Sequence, residues 1–222
     1  MKSEDKNFAF LQEMSSVVSI KITSLIYTTT PMLYISFSLG TMVASVYSIY
    51  NMIYGLIKNF MYTIVNAPFN AFGQLLAQKN NLETAREKFL VYQLLTIMIL
   101  SIILTTCLLV ILPFIQIYMS GVDDINYIDN NIAVLLCIIT FLEIVHIPSG
   151  ILMQVTGAFK ENKRMQYITT IILLVSMVIL SREYGIYGIL WSMLIGNTIL
   201  AYMEIEFAYK KILDINLNFV FK

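Results

Sequence analysis

Long apolar runs separated by short polar segments dominate this chain. The runs cover residues 17–39, 42–66, 89–112, 132–154, 167–180 and 186–209. About 20 apolar residues in a helix span the hydrocarbon core of a bilayer, so the repeated runs predict an integral membrane protein. The expected fold class is all-α: a polytopic membrane protein whose six transmembrane helices form one bundle, with a cytoplasmic lead-in at 1–16 and a tail at 210–222.

Composition supports this class and excludes others. Only 13% of the residues are charged and 58% are hydrophobic, whereas soluble domains carry about 25% charged residues. Zero net charge and a single histidine provide no basic surface for nucleic acid, so we expect no nucleic-acid partner. Cys107 and Cys137 lie inside apolar runs at a spacing that forms no metal or redox motif, and we expect no metal site and no cofactor.

The loop charges predict an orientation. Six crossings place eleven Lys and Arg residues on one side and only Arg182 on the other. The eleven are Lys2, Lys6, Lys79, Arg86, Lys88, Lys160, Lys163, Arg164, Lys210, Lys211 and Lys222. Because cytoplasmic loops are enriched in Lys and Arg, both termini are predicted to be cytoplasmic.

The first predicted helix is unusually polar. Lys21, Ser24 and Thr28 recur at steps of three or four, and they therefore share a face that is unsuited to lipid. Hydroxyl groups in membrane helices also bond to their own backbone. Lys21 lies near the cytoplasmic end, where its ammonium group can instead reach the membrane surface. Both alternatives stay open.

The second predicted helix carries a longer polar stripe. Its members, at steps of three or four, are Tyr47, Asn51, Tyr54, Lys58, Tyr62 and Asn66. Lys58 falls near mid-span, where a charge exposed to lipid is costly. The stripe therefore favours a water-lined cavity over a simple buried ion pair.

The fourth predicted helix combines two titratable residues with a helix breaker. Glu143 and His146 share a face, and Pro148 is expected to bend the helix beside them. The two side chains are either a titrating pair for proton coupling or part of an interhelical hydrogen-bonded cluster with Lys58.

An enzyme is not expected. Asp123, Asp124 and Asp129 lie in one short outer loop without a nucleophile or histidine partner. They are typical of a solvated turn, with Asp129 or Asn130 as a helix cap.

Several segments resemble one transporter family when taken in order. They are FIQIYMSGVDDINY at 114–127, GAFKENK at 157–163 after Pro148, and YGIYGI at 184–189, with Ala67 and Pro68 upstream. This chain resembles the polysaccharide-transporter branch of the MOP exporter superfamily, the Wzx-type flippases for O-antigen and capsule repeat units.

The resemblance implies a substrate and a location. It implies a bacterial plasma membrane protein that moves undecaprenyl-pyrophosphate-linked oligosaccharides towards the periplasmic face among membrane lipids. Family members have about twelve or fourteen helices in two bundles. The present six resemble the second bundle, which implies a half-transporter, a fragment, or a half that pairs with a second half or with its own copy.

Site roles follow from the implied substrate. Cations can neutralise a diphosphate, and hydroxyl or amide groups can bind sugars. The candidate substrate-binding residues are Lys21, Thr28, Asn51, Tyr54, Lys58 and Tyr62. Glu143 and His146 are candidates for ion coupling. The alternatives are a cation-coupled multidrug antiporter of the same superfamily and a non-transporting membrane remnant.

Overall fold

Every regular element in the part of the chain that the structure describes is helical, which confirms the all-α class. The computed structural model describes residues 2–77, 82–122 and 124–215. Its helices are α1 (Lys2–Ser38), α2 (Thr41–Asn66), α3 (Phe69–Ala77), α4 (Leu82–Tyr118), α5 (Asn130–Val145), α6 (Ile147–Val155) and α7 (Phe159–Phe207), followed by a π-helical turn (Ala208–Ile212). Met1, residues 78–81, Asp123 and the part of the predicted tail from 216, with Lys79 and Lys222, lie outside the described residues.

Three stretches of the described residues are long and apolar enough to cross a membrane. They are Leu82–Tyr118, Asn130–Val155 and Phe159–Ile212. Only 22% of the most apolar window of the first stretch is buried inside the protein. That helix therefore presents most of its apolar surface outwards, as a helix in contact with lipid does.

The longest helix, α7, is folded back on itself. Its 49 residues include Gly185, whose backbone has a non-helical φ of 54° and ψ of −129°. A methyl group on Gly188 would lie 2.2 Å from the carbonyl oxygen of Leu180, a separation that a straight helix does not allow. The chain therefore reverses at Gly185 into a first arm (159–184) and a second arm (186–207).

Both arms of α7 pack against α1. The Tyr34 hydroxyl lies 3.0 Å from the Ser181 hydroxyl on the first arm. On the second arm, a methyl group at Gly196 would lie 2.7 Å from the Tyr27 hydroxyl. Glycine at this position therefore allows a close approach of the kind seen between membrane helices.

Tyrosines of α2 anchor that helix to the start of α5. The Tyr50 hydroxyl donates to the carbonyl of Tyr127 and accepts the N–H of Asp129, at 3.0 and 2.8 Å. One turn later, Tyr54 donates to the carbonyl of Ala133 at 2.7 Å. The Asp129 carboxylate in turn accepts N–H groups from the first turn of α5, which confirms the predicted cap.

A break separates α5 from α6 at His146, and it confirms the bend expected from Pro148. Proline has no N–H group to donate, so a helix that contains it loses a backbone hydrogen bond. A carbonyl group beside the break, that of Val145, accepts the Gln93 side-chain amide of α4 at 2.8 Å. The break is therefore held by a neighbouring helix.

Positive charge collects at one end of the molecule. The two arms of α7 lie side by side there, since Met165 and Met203 line one groove, and Arg86 of α4 pairs with Asp214 at 3.4 Å, past the π-helical turn. We call this the basic end, and its basic residues include Arg86, Lys160, Lys163, Arg164, Lys210 and Lys211. Arg182 lies at the other end, beside the reversal at Gly185.

The reversal predicts that Gly185 does not tolerate substitution by a residue with a side chain. Gly185→Ala should lower the free energy of unfolding by about 1–3 kcal/mol, because only glycine adopts this backbone geometry readily. The matched control is Gly55→Ala in the helical interior of α2, where an added methyl group meets no atom within 4 Å. Thermal unfolding of both purified variants in detergent would test this, and an equal loss in both would contradict it.

Candidate functional site

A polar cleft of about 230 Å³ opens between α1, α2, the α5–α6 break and both arms of α7. We call it the central cleft. It is lined by Ser24, Tyr27, Thr28, Gly55, Lys58, Asn59, Tyr62, Glu143, His146, Gln166, Asn197 and Leu200. Gln166 and Asn197 come from opposite arms of α7, so the reversal at Gly185 is required to build the site.

An ion pair joins two walls of the cleft. Lys58 Nζ on α2 lies 3.0 Å from Glu143 Oε2 on α5, and their side chains are 21% and 14% exposed. Each charge is largely removed from water, so each needs the other as a partner. The residual exposure on both sides leaves the pair accessible to a competing ion.

A second pair of titratable side chains is more deeply buried, at the break itself. His146 Nδ1 is 2.8 Å from Glu204 Oε2, and the Glu204 side chain is only 3% exposed. At this distance one proton must lie between the two atoms, either on the imidazole nitrogen or on the carboxyl oxygen. The arrangement is that of a proton-sharing pair between the α5–α6 break and the second arm of α7.

Neutral polar groups make up much of the remaining lining. The Thr28 hydroxyl donates to the Ser24 carbonyl at 3.0 Å, and the Asn197 amide donates to the Met193 carbonyl at 3.0 Å. The buried Tyr27 hydroxyl has no hydrogen-bond partner among the described residues. Hydroxyl and amide groups can bind sugars, water or other neutral polar groups.

The structure brings five of the eight predicted site residues together. Those that line the central cleft are Thr28, Lys58, Tyr62, Glu143 and His146. Glu143 and His146 do not pair with each other, since each has a charged partner on another helix. The structure therefore shows two separate interhelical pairs, Lys58 with Glu143 and His146 with Glu204, and not a single cluster of Glu143, His146 and Lys58.

The other three predicted residues lie outside the cleft lining. Lys21 is exposed, in keeping with the alternative in which its ammonium group reaches the membrane surface. Asn51 is half-buried and does not line the cleft. Tyr54 is 1% exposed and its hydroxyl is bonded to Ala133, so it belongs to the core between α2 and α5.

Four polar residues at the site are not among the sequence predictions: Asn59, Gln166, Asn197 and Glu204. Asn197 and Glu204 are seven residues apart and therefore lie on one face of the second arm. A carboxylate within an otherwise apolar helix is costly in a membrane unless it is paired. The carboxylate within an apolar helix, seven residues after Asn197, is therefore the signal in the sequence from which Glu204 could have been predicted.

No group of three or more His, Cys, Asp or Glu side chains in the described residues is arranged to hold a metal ion. Comparison of the chain with family models, curated proteins and solved structures finds no match. The geometry of the cleft and the sequence motifs therefore carry the functional argument.

The ion pair predicts non-additive stability effects. Lys58→Met and Glu143→Gln should each cost about 1–3 kcal/mol, because each leaves a largely buried partner unsatisfied. The double variant should lose less than the sum of the two, by about 1 kcal/mol or more. Unfolding of the four proteins in mixed detergent micelles gives this coupling energy, and strictly additive losses would show that the two side chains act independently.

Proposed function

We propose that the chain is a membrane transporter and that the central cleft binds the polar head of a lipid-linked substrate. The main support for this proposal is the environment of Lys58. Its ammonium group is largely buried, has one carboxylate partner, and lies in a cleft otherwise rich in hydroxyl and amide groups. The loops that resemble Wzx-type flippases support the same class. The proposed activity is translocation of a diphosphate-linked oligosaccharide, without any bond being made or broken.

The proposal includes six crossings of a bacterial plasma membrane with both termini in the cytoplasm. Besides α1, α2 and α4, one crossing would be α5 with α6, and the two arms of α7 would supply the last two. The fold-back at Gly185 and the concentration of Lys and Arg at the basic end support this arrangement. The basic end would then face the cytoplasm.

Cysteine labelling tests the crossings directly. In a Cys107→Ser, Cys137→Ser background, a membrane-impermeant maleimide should label Arg182→Cys in intact cells. It should label Lys211→Cys only after the cells are permeabilised. Both replaced positions are exposed in the structure, so access to water is matched. Labelling of Lys211→Cys in intact cells would overturn the orientation.

Lys58 would act by exchanging partners. A diphosphate entering the cleft competes with Glu143 for the ammonium group, because charge-assisted hydrogen bonds to phosphate are strong. Groups such as Asn59, Tyr62 and Gln166 would bind sugar hydroxyls while the lipid tail stays in the bilayer. A cleft of about 230 Å³ forms one wall of a pathway, and we propose that a second six-helix half or a second copy supplies the other.

A variant that lacks both charges of the ion pair distinguishes an effect on transport from an effect on folding. The double variant Lys58→Gln, Glu143→Gln leaves no unpaired charge and should reach the membrane at wild-type abundance. Its translocation rate should fall about tenfold or more, since one charge-assisted bond to the substrate is lost. The measurement is accumulation of lipid-linked intermediate in native cells that carry only the variant.

Lys21→Gln is the matched control for that experiment, because it removes the same charge from an exposed position outside the cleft lining. It should retain translocation. Unchanged translocation in the double variant would remove the ion pair from the mechanism, and a chain whose cleft variants all lack a transport phenotype would be a non-transporting subunit.

One observation favours a second candidate, a cation-coupled antiporter. The pairing of His146 with Glu204 adds a buried carboxylate, whereas Lys21 lies away from the cleft. With neutral histidine, the four paired groups carry one net negative charge. A proton-sharing pair suits proton coupling. The two candidates are compatible, because a proton-coupled flippase would use Lys58 for cargo and the His146–Glu204 pair for the proton.

A further inference from the structure

A second groove lies at the basic end, away from the central cleft. It has a volume of about 550 Å³ and runs between α1, at Ser15 and Ser16, and the first turns of α7. Three cationic side chains near the start of α7 line the groove: Lys160, Lys163 and Arg164. The groove shares no lining residue with the central cleft.

Among the described side chains, no acid neutralises the three cations. None of them forms an ion pair with an acidic side chain in the described part of the chain. Glu161 is the acid within this segment, and it does not line the groove. A concentration of positive charge that has no acidic partner among the described side chains attracts an anion from outside.

Apolar side chains continue from the cations along the same helix. Tyr167 and Ile171 also line the groove, at steps of one helical turn beyond Lys163. The Lys163 ammonium lies 5.7 Å from the centre of the Tyr167 ring. Ile171 is 60% exposed and Val175, a further turn on, is 55% exposed. Positive charge, an aromatic ring and exposed aliphatic groups therefore succeed one another in the order that a membrane surface presents.

The direction of α1 and of the first arm of α7 determines where the groove leads. α1 and the first arm run side by side in the same direction, since Ser15 meets the start of the arm and Tyr34 meets Ser181 near its end. Both helices leave the basic end and enter the apolar part of the molecule together. The groove therefore opens at the basic end and extends towards exposed apolar surface.

We propose that this groove binds an anionic phospholipid. The phosphate would lie against Lys160, Lys163 and Arg164, and an acyl chain would follow Tyr167, Ile171 and Val175. Basic pockets between membrane helices bind anionic headgroups by this combination of charge and apolar contact. A soluble phosphate would use only the charged part of the groove. The inference does not rest on the transport proposal, because lipid retention is measured without translocation.

Competitive lipid retention tests the proposal. The purified chain, extracted in mild detergent with equal amounts of phosphatidylglycerol and phosphatidylcholine, should retain phosphatidylglycerol preferentially in native mass spectrometry. The variant K160Q/K163Q/R164Q should lose that preference by about tenfold or more, since each surface cation contributes about fivefold. The variant K210Q/K211Q removes two cations from a different groove at the same end and should keep it.

Three results would overturn the proposal. They are wild-type preference in the triple variant, equal loss in the double variant, and equal displacement of phosphatidylglycerol by soluble glycerol phosphate. The last would identify a phosphate site without lipid specificity. If the triple variant unfolds at a lower temperature than wild type, R164Q alone carries the test, because Arg164 is exposed, and its preference should fall about fivefold.

Discussion

The break between α5 and α6 is the constraint on which the central cleft depends. Hydrocarbon offers no replacement hydrogen bonds, so a helix interrupted at membrane depth needs partners from its neighbours. Gln93 of α4 meets this need at the Val145 carbonyl. The break falls at His146, and the two side chains reach different helices, Glu143 towards Lys58 and His146 towards Glu204. An uninterrupted helix would hold both on one face and direct them to a single neighbour.

The two charged pairs that result differ in chemistry. Lys58 and Glu143 form an ion pair that water or a ligand reaches from the cleft, whereas His146 and Glu204 share a proton in a more enclosed position. Under the proposed function, one pair would respond to a charged substrate and the other to a proton. Because both pairs hold the same broken helix in place, the proposal implies that occupation of the cleft and protonation would influence each other.

Sequence reasoning was most successful where a cost in the membrane identified a residue. Lys58, Glu143 and His146 were found because charge within apolar helices needs a partner. The sequence predicts a cavity position for Tyr54 because Tyr54 shares a face with Lys58, yet one face of a long helix meets different neighbours along its length. At Tyr54 that neighbour is the Ala133 carbonyl of α5, and only one turn later is it the cleft. The pairing of Glu204 with His146 depends on the reversal at Gly185, which local spacing does not reveal.

The His146–Glu204 pair also bears on how the molecule is made. Chains emerge and fold from the N-terminus, and the two partners are 58 residues apart in sequence. Lys58 precedes Glu143, so that ion pair can form as soon as α5 enters the bilayer. His146 must wait until both arms of α7 have been synthesised. A chain that ends before Glu204 would therefore leave His146 without this partner beside a broken helix.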